Sequence, residues 1–178
     1  MNVITQNTNI LKGVIASGDI FCTDKKMSEK ITNVMRILKQ KKIPFVEHTY
    51  AADPTKTAED IAQEVGLPPE RVFKTLVTVG RSKNHYVFVI PAYGHLDLKK
   101  AAAVVKEKSI EMIPQKELLP LTGYVHGGCS PIGMKKAFPT FVDESCLQFD
   151  TIAISAGKVG FQVELDIKLL NFPTASLI

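Results

Sequence analysis

The sequence predicts an α/β (α+β) protein with a curled, mainly antiparallel mixed sheet, barrel-like in its core, surrounded by helices. Short β-branched and aromatic runs recur along the chain, and amphipathic helical patterns alternate with them. The 178 residues are 45% hydrophobic and 22% charged, which is an ordinary composition for a soluble globular protein. This length favours a single domain around one core.

The beginning of the chain differs from the rest. Residues 1–26 show little periodicity, and a second natural start lies at Met27. We therefore expect a lightly packed extension over 1–26 and a single domain over 27–178. No apolar run approaches the roughly 20 residues that span a bilayer, and the opening lacks the basic start of a signal peptide. With three widely spaced cysteines, these features indicate a cytoplasmic protein without membrane association.

The first elements follow from helical spacing and capping residues. A helix is predicted from Ser28 to Lys41, before Pro44 blocks its continuation. "FVEHTY" alternates as a short strand does. A second helix begins at "TAED", where Thr57 and Asp60 form a capping-box-like pair, and Gly66 ends it. The predicted inner stripes are Ile31, Val34, Met35 and Leu38 in the first helix, and Ala58, Ile61, Ala62 and Val65 in the second.

Strands dominate the remainder of the prediction. "VFKTLVTVG" and "HYVFVIPA", joined by the polar "RSKN", predict a hairpin. Asp97 can cap a third helix over "LKKAAAVVKEK". Short strands are then predicted at "SIEMI", "GYVHG", "TFVD", "TIAISA" and "FQVEL", and "DIKLLNF" predicts a final helical turn or two.

The stretch "GYVHGGCSPIGMKK", Gly123 to Lys136, is the first candidate site. Without a Cβ, Gly127 and Gly128 allow consecutive N–H groups to point at one anion or carbonyl oxygen. A plain turn explains the pair equally well. Lys135 and Lys136, which close the stretch, could contact a nucleic-acid backbone.

His126 and Cys129 in the same stretch raise two further possibilities. Their H-x-x-C spacing could supply two zinc ligands, but the sequence offers no second pair, so we expect no metal and no other cofactor. As a nucleophile, Cys129 would need a base such as His126 and a third group to orient it. A small buried hydrophobe is the common state of a free cysteine and is our expectation here.

Lys74 and the stretch "SAGKVG", Ser155 to Gly160, form the second candidate region. An alternating strand places Lys74 on one face with Val72 and Leu76, where an ammonium needs a cleft or an anionic partner. An edge-strand lysine that discourages aggregation is the alternative. "SAGKVG" lacks the spacing of a P-loop, yet two glycine loops at strand ends could line one pocket.

Five motifs in order, "HTY", "VFKTLV", "LDLKK", "TGYVHGGCSPIGMKK" and "SAGKVG", resemble the YbaK family of aminoacyl-tRNA deacylases from about Ile31 to Leu170. The similarity is greatest to its free-standing Cys-tRNA(Pro)/Cys-tRNA(Cys) deacylases, relatives of the editing domain of bacterial prolyl-tRNA synthetases. The resemblance implies a YbaK-like fold and hydrolysis of the ester that joins a wrong amino acid to tRNA.

The resemblance also implies roles for residues. In the family mechanism the thiol of the mischarged cysteine attacks its own carbonyl, so the protein supplies no nucleophile. The resemblance and the glycine-loop argument together give Lys74 and Gly127 as catalytic residues, and Tyr50, Gly128, Ser130, Ser155 and Gly157 as substrate-binding residues. Lys135 and Lys136 are the expected tRNA contacts.

Several positions depart from the family pattern. Gln162 replaces a common acidic residue, Val159 a common arginine, and His126 and Cys129 usual aliphatic residues. These departures leave open an Ala-tRNA(Pro) deacylase or a non-catalytic module that binds a tRNA 3′ end or a nucleotide. The expected partners are mischarged tRNA and a prolyl-tRNA synthetase. A net charge of +4 predicts weak tRNA binding, and we expect a monomer or a weak homodimer.

Overall fold

The computed structural model describes residues 31–53 and 55–178. The predicted extension 1–26, the second start at Met27 and the first residues of the helix predicted from Ser28 lie outside the described residues. The side chain of Ala58 does so as well. Residues Thr32–Ile178 form one compact unit, to which the following description refers.

The first two helices begin at the predicted caps. Helix α1, Asn33–Gln40, begins after Thr32, whose Oγ1 accepts a hydrogen bond from the N–H of Met35 at 3.3 Å. Helix α2, Ala58–Val65, has a complete capping box in which the side chains of Thr57 and Asp60 each accept from the other's N–H. It ends at Gly66, whose φ of 72° belongs to the left-handed region. The α1 stripe is buried through Val34, Met35 and Leu38.

The other two helices differ in how far the sequence predicts them. Helix α3, Leu98–Val104, starts at the predicted cap Asp97. Helix α4, Gln115–Thr122, is not predicted by the sequence and contains Pro120. The strand predicted at "GYVHG" is wrong, because Gly123 and Gly127 adopt φ values of 86° and 77°, which end α4 and turn the chain.

Two sheets form the centre of the unit. The strands are β1 Val46–Thr49, β2 Phe73–Gly80, β3 His85–Pro91, β4 Ile110–Met112, β5 Thr140–Asp143, β6 Ile152–Ser155, β7 Phe161–Leu165 and β8 Thr174–Ala175. The three-stranded sheet has the order β1-β7-β6 and is antiparallel, and the five-stranded sheet has the order β4-β2-β3-β5-β8. In the second sheet β4, β2 and β3 pair antiparallel, whereas β5 pairs parallel with β3 and β8.

This arrangement matches the predicted mixture of helices and mainly antiparallel strands, although the described strands form two sheets and no closed barrel. The β2–β3 hairpin has the predicted turn, where Gly80 N–H donates to the carbonyl of Asn84 at 2.8 Å. The predicted end at "DIKLLNF" is a 3₁₀ helix, Ile167–Leu170. Within the described residues, no helix is both long and apolar enough to cross a membrane.

A gap opens where the two sheets meet. Among the described residues, an isolated parallel bridge between Val72 and Ala153 joins them. Strand β4 pairs only with Thr78–Gly80, so it leaves the preceding part of β2 uncovered on that edge. Hydrogen bonds alternate along this part of the chain: the carbonyl of Val72, just before β2, accepts from the N–H of Ala92, just after β3, and that of Val77 accepts from Ile113 on the opposite side. The N–H and C=O of Thr75 therefore also face the gap.

Candidate active site

A pocket of about 550 Å³ occupies this gap. One wall is the uncovered part of β2, and the opposite wall comes from the three-stranded sheet. Helix α2, helix α4 and the loop after α4 complete it. Its lining includes Tyr50, Ile61, Phe73, Lys74, Thr75, Leu76, Ala92, Gln115, Leu118, His126, Gly127, Cys129, Ser155 and Gln162.

Lys74 provides a cation inside the pocket. Its Nζ donates to the carbonyl of Ala92 at 2.8 Å, which fixes the ammonium while two N–H donors stay available. Lys56 also lines the pocket, but it pairs with Glu64, whereas Lys74 has no ion pair with any described residue. Burial lowers the pKa of Lys74, and the charge of Glu59 opposes this effect. An anionic or carbonyl ligand would therefore stabilise the Lys74 ammonium.

The two glycine loops contact each other beside the pocket. A Cβ on Gly128 would lie 3.1 Å from the backbone nitrogen of Val159, so a side chain here would push the loops apart by a few tenths of an ångström. Gly127 is exposed and lines the pocket. Tyr50 joins the second loop, since its N–H donates to the carbonyl of Gly160 at 3.0 Å. His126, Gly127 and Cys129 of the first loop line the pocket, and of the stretch Ser155–Gly160 the lining includes Ser155, at the end of β6.

Cys129 is poorly suited to act as a nucleophile. It is only 8% exposed, and burial raises the pKa of its thiol to about 12, partly opposed by a hydrogen bond with Thr122. At neutral pH almost none of it is thiolate, the reactive form. The described residues also contain no group of three or more His, Cys, Asp and Glu side chains that could hold a metal ion.

An ion-pair network involves the face of the three-stranded sheet that also carries Gln162 of the pocket lining. Glu164 accepts hydrogen bonds from Arg71, Thr151 and His48, the last at 2.8 Å. Because a carboxylate only accepts, the His48 Nε2 carries the proton. Burial would raise the pKa of Glu164, but the hydrogen bonds from Thr151 and His48 and the Arg71 charge outweigh it and lower the pKa.

Gln162 lies on the same face of β7, two residues before Glu164, and between Ser155 and His48 in the strand register. It is 6% exposed and lines the pocket, yet no described residue donates to its Oε1. Thr75 Oγ1, in the β2 wall, is likewise buried without a described partner. The sequence singled out Gln162 only as a family departure, and it gave no signal for Thr75 beyond its position after Lys74.

The structure brings some predicted site residues together and leaves others apart. Lys74, Gly127, Tyr50 and Ser155 line the pocket. The other three predicted substrate-binding residues, Gly128, Ser130 and Gly157, are not among its lining residues, and neither are Lys135 and Lys136. All of these roles stay predictions.

The residues outside the lining have other surroundings. Ser130 is fully buried, and its Oγ accepts from the N–H of Ile132. Gly157 packs closely against Tyr124 and Val34. Both lysines are exposed.

Comparison with known proteins defines the family. Residues 52–172 match the family described as the aminoacyl-tRNA editing domain. The chain belongs to this family. Within it, EbsC of Enterococcus faecalis, a proposed Cys-tRNA(Pro)/Cys-tRNA(Cys) deacylase, is 46% identical over 142 residues, which cover 79% of this chain and 87% of EbsC.

Two further comparisons connect this editing domain with prolyl-tRNA synthetases. A proline–tRNA ligase of Thermotoga maritima is 35% identical over 81 residues, covering 44% of this chain but only 14% of the ligase. A crystal structure of a proposed trans-editing enzyme for prolyl-tRNA synthetase superposes with a TM-score of 0.70 at 26% identity, covering 81% of this chain and 93% of the other. The predicted family, fold class and class of enzyme, an aminoacyl-tRNA deacylase, are confirmed.

Proposed function

We propose that this editing domain acts in trans and removes cysteine from Cys-tRNA(Pro). The observation that carries the proposal is a pocket with a fixed lysine and an exposed glycine backbone but no activated nucleophile: its cysteine, Cys129, has a pKa near 12. Such a pocket suits a substrate that brings its own nucleophile. The 46% identity with EbsC supports the choice of cysteine.

In this mechanism the protein positions an ester that is already activated. The N–H of Gly128 already donates to the carbonyl of Val125 at 3.1 Å, so the donor from this loop is the N–H of Gly127, which stabilises the carbonyl oxygen where negative charge develops in the transition state. The ammonium of Lys74, held by the Ala92 carbonyl, binds the ribose or phosphate of the terminal nucleotide. The pocket thereby holds the cysteine side chain close to its own carbonyl.

The reaction breaks one bond for each bond that it forms. The substrate sulfur attacks the carbonyl carbon, the ester C–O bond breaks, and the thiol proton goes to the leaving 3′ oxygen of the tRNA. The products are tRNA with a free 3′ hydroxyl and a cyclic thioester of cysteine, which water then opens to cysteine. No redox partner or cofactor is required.

Partners and location follow from this role. We propose that a prolyl-tRNA synthetase delivers the tRNA, which the similarity to part of the Thermotoga maritima ligase supports. The activity is expected in the cytoplasm, where aminoacyl-tRNA is made. We keep the expectation of a monomer or weak homodimer.

A deacylation panel with Cys-, Ala-, Ser- and Pro-charged tRNA(Pro) tests the proposal. We expect rapid loss of cysteine and at least tenfold slower loss of the others, because only cysteine carries the attacking thiol. Faster loss of alanine would replace this substrate with Ala-tRNA(Pro). Stable binding of all four without hydrolysis would instead identify a non-catalytic tRNA 3′-end module.

A further inference from the structure

The amide of Gln162 is the feature of the pocket that the proposed mechanism does not use. Gln162 is only 6% exposed and lines the pocket. No described residue donates a hydrogen bond to its Oε1. Buried carboxamide oxygens in folded proteins nearly always have a donor, because leaving one unpaired is costly. Thr75 Oγ1, in the β2 wall, is a second buried polar atom in the same state. These two atoms of the pocket lining are available to a polar ligand group.

The charge of the lining selects the kind of group. Among the residues that the structure describes, no Asp or Glu lines the pocket, so its acceptors are neutral. Lys74 only donates and is therefore directed at ligand oxygens. Ser155 Oγ already accepts from the N–H of Gly157 at 3.2 Å. Gln162 Oε1 is a buried amide acceptor of the lining that stays available for a donor on the ligand.

An aminoacyl ester carries such a donor on its α-carbon. We propose that Gln162 Oε1, assisted by Thr75 Oγ1, binds the α-amino group of the substrate, so that Gln162 selects acyl groups that carry an amine. This inference rests on the proposed function, since it takes the ligand to be an aminoacyl ester. It assigns to Gln162 a specificity role that is separate from the Lys74 and Gly127 contacts.

The strand that carries Gln162 brings the amide to the pocket. Its strand, β7, is the central strand of its sheet, and its backbone lies between His48 and Ser155. The side chain of His48 is directed to Glu164, so it does not compete for the Gln162 oxygen. The backbone that carries the acceptor is therefore held by strands on both sides before a ligand binds.

The experiment compares two non-hydrolysable ligands. Both are RNA minihelices with the acceptor stem of tRNA(Pro), whose 3′-amino-adenosine carries either amide-linked cysteine or amide-linked 3-mercaptopropionate, which lacks only the amine. Affinities are measured by calorimetry for the wild type, Gln162→Met, Gln162→Glu and the exposed control Gln148→Met. Thermal unfolding of each variant confirms that it is folded.

We expect the wild type and Gln148→Met to bind the cysteinyl ligand ten- to hundredfold more tightly than the des-amino ligand. Gln162→Met should lose this preference, while Gln162→Glu should retain it because an acceptor remains. Thr75→Val should reduce the preference several-fold, which provides a second measurement if Gln162→Met does not fold.

Equal binding of both ligands by the wild type would overturn the inference, and so would the absence of binding to either. Equal weakening of both ligands by Gln162→Met would also contradict it. Turnover of Cys-tRNA(Pro) by the wild type, measured in parallel, separates the two proposals. If turnover is absent but the amine preference is present, the proposed reaction fails and the amine site stands.

Discussion

Glu164 and Gln162 lie two residues apart on one face of β7, but their surroundings differ completely. Glu164 accepts hydrogen bonds from Arg71, Thr151 and His48, whereas Gln162 Oε1 has no partner among the described residues. We call these the paired end and the pocket end of this face. The contrast suggests that the paired end contributes to stability and that the pocket end is kept incomplete for a ligand.

The largest expected effect is in the pocket itself, at Lys74 on β2. Lys74→Ala should lower deacylation of Cys-tRNA(Pro) about a hundredfold or more, because it removes roughly 3 kcal/mol of transition-state stabilisation. Its unfolding temperature should change little. Single-turnover rates and thermal melts measure both, with the exposed Lys108→Ala as the control. Retention of more than a third of the activity would exclude the proposed catalytic role of Lys74.

At the paired end the same kind of change should act on folding. Glu164→Gln should lower the free energy of unfolding by about 2 kcal/mol, because it leaves the partly buried Arg71 without its counter-charge. For a chain of this size, that corresponds to a fall of roughly 4–8 °C in the unfolding temperature. Activity below that temperature should stay close to wild type. A variant that loses activity without losing stability would contradict the division between the two ends.

The pH dependence of stability sharpens the same point. Since folding lowers the pKa of Glu164 below its ordinary value of 4.5, its contribution is present above pH 4.5 and is lost as the pH falls further. A protonated Glu164 resembles glutamine, so the stability difference from Glu164→Gln should shrink toward zero at low pH. Denaturant titrations of both proteins between pH 7 and pH 3 measure this difference. A constant difference would mean that the charge of Glu164 is not what stabilises the fold.

A smaller effect is expected outside the pocket, at Lys135 and Lys136. Replacing both by alanine should weaken every tRNA alike by a few-fold and lower the salt slope of binding by about one to two from a wild-type value of about two to four. Filter binding at several salt concentrations measures this. Loss of binding to one tRNA alone would show that these lysines read an identity rather than the backbone.

The smallest expected effect is that of Cys129→Ala. A buried thiol with a pKa near 12 is protonated at neutral pH, so deacylation should stay within about threefold of wild type. Mass spectrometry of the enzyme during turnover provides the second measurement. A substrate adduct on Cys129 would establish the protein thiol as the nucleophile and overturn the substrate-assisted reaction.

Sequence analysis predicted the elements that have local causes. The α2 capping box at Thr57 and Asp60 and the cap of α3 at Asp97 depend on residues within one turn of each other. Helix α4 was missed because Pro120 argues against a helix interior, whereas in the fold the burial of Leu118 helps to hold it. A strand at "GYVHG" was predicted from its Tyr and Val, but the turn at Gly123 and Gly127 overrides them.

The site was predictable only in part, for a related reason. Lys74 is conspicuous in an apolar strand, and the glycine loops are conspicuous in composition. Gln162 Oε1 is left without a donor because the side chain of His48, its neighbour in the strand register, bonds Glu164 instead. His48 and Gln162 are more than 100 residues apart in sequence. A local sequence pattern therefore cannot predict that the Gln162 oxygen is unpaired.

The close approach of Gly128 to the backbone of Val159 has an evolutionary consequence. A side chain on Gly128 would place its Cβ 3.1 Å from the Val159 nitrogen, so one loop would have to move by a few tenths of an ångström to accommodate it. Such a substitution would therefore shift the backbone next to Gly127, which lines the pocket. Drift toward a new amino-acid preference is easier through side chains on the rigid strands, such as position 162, than through these loops.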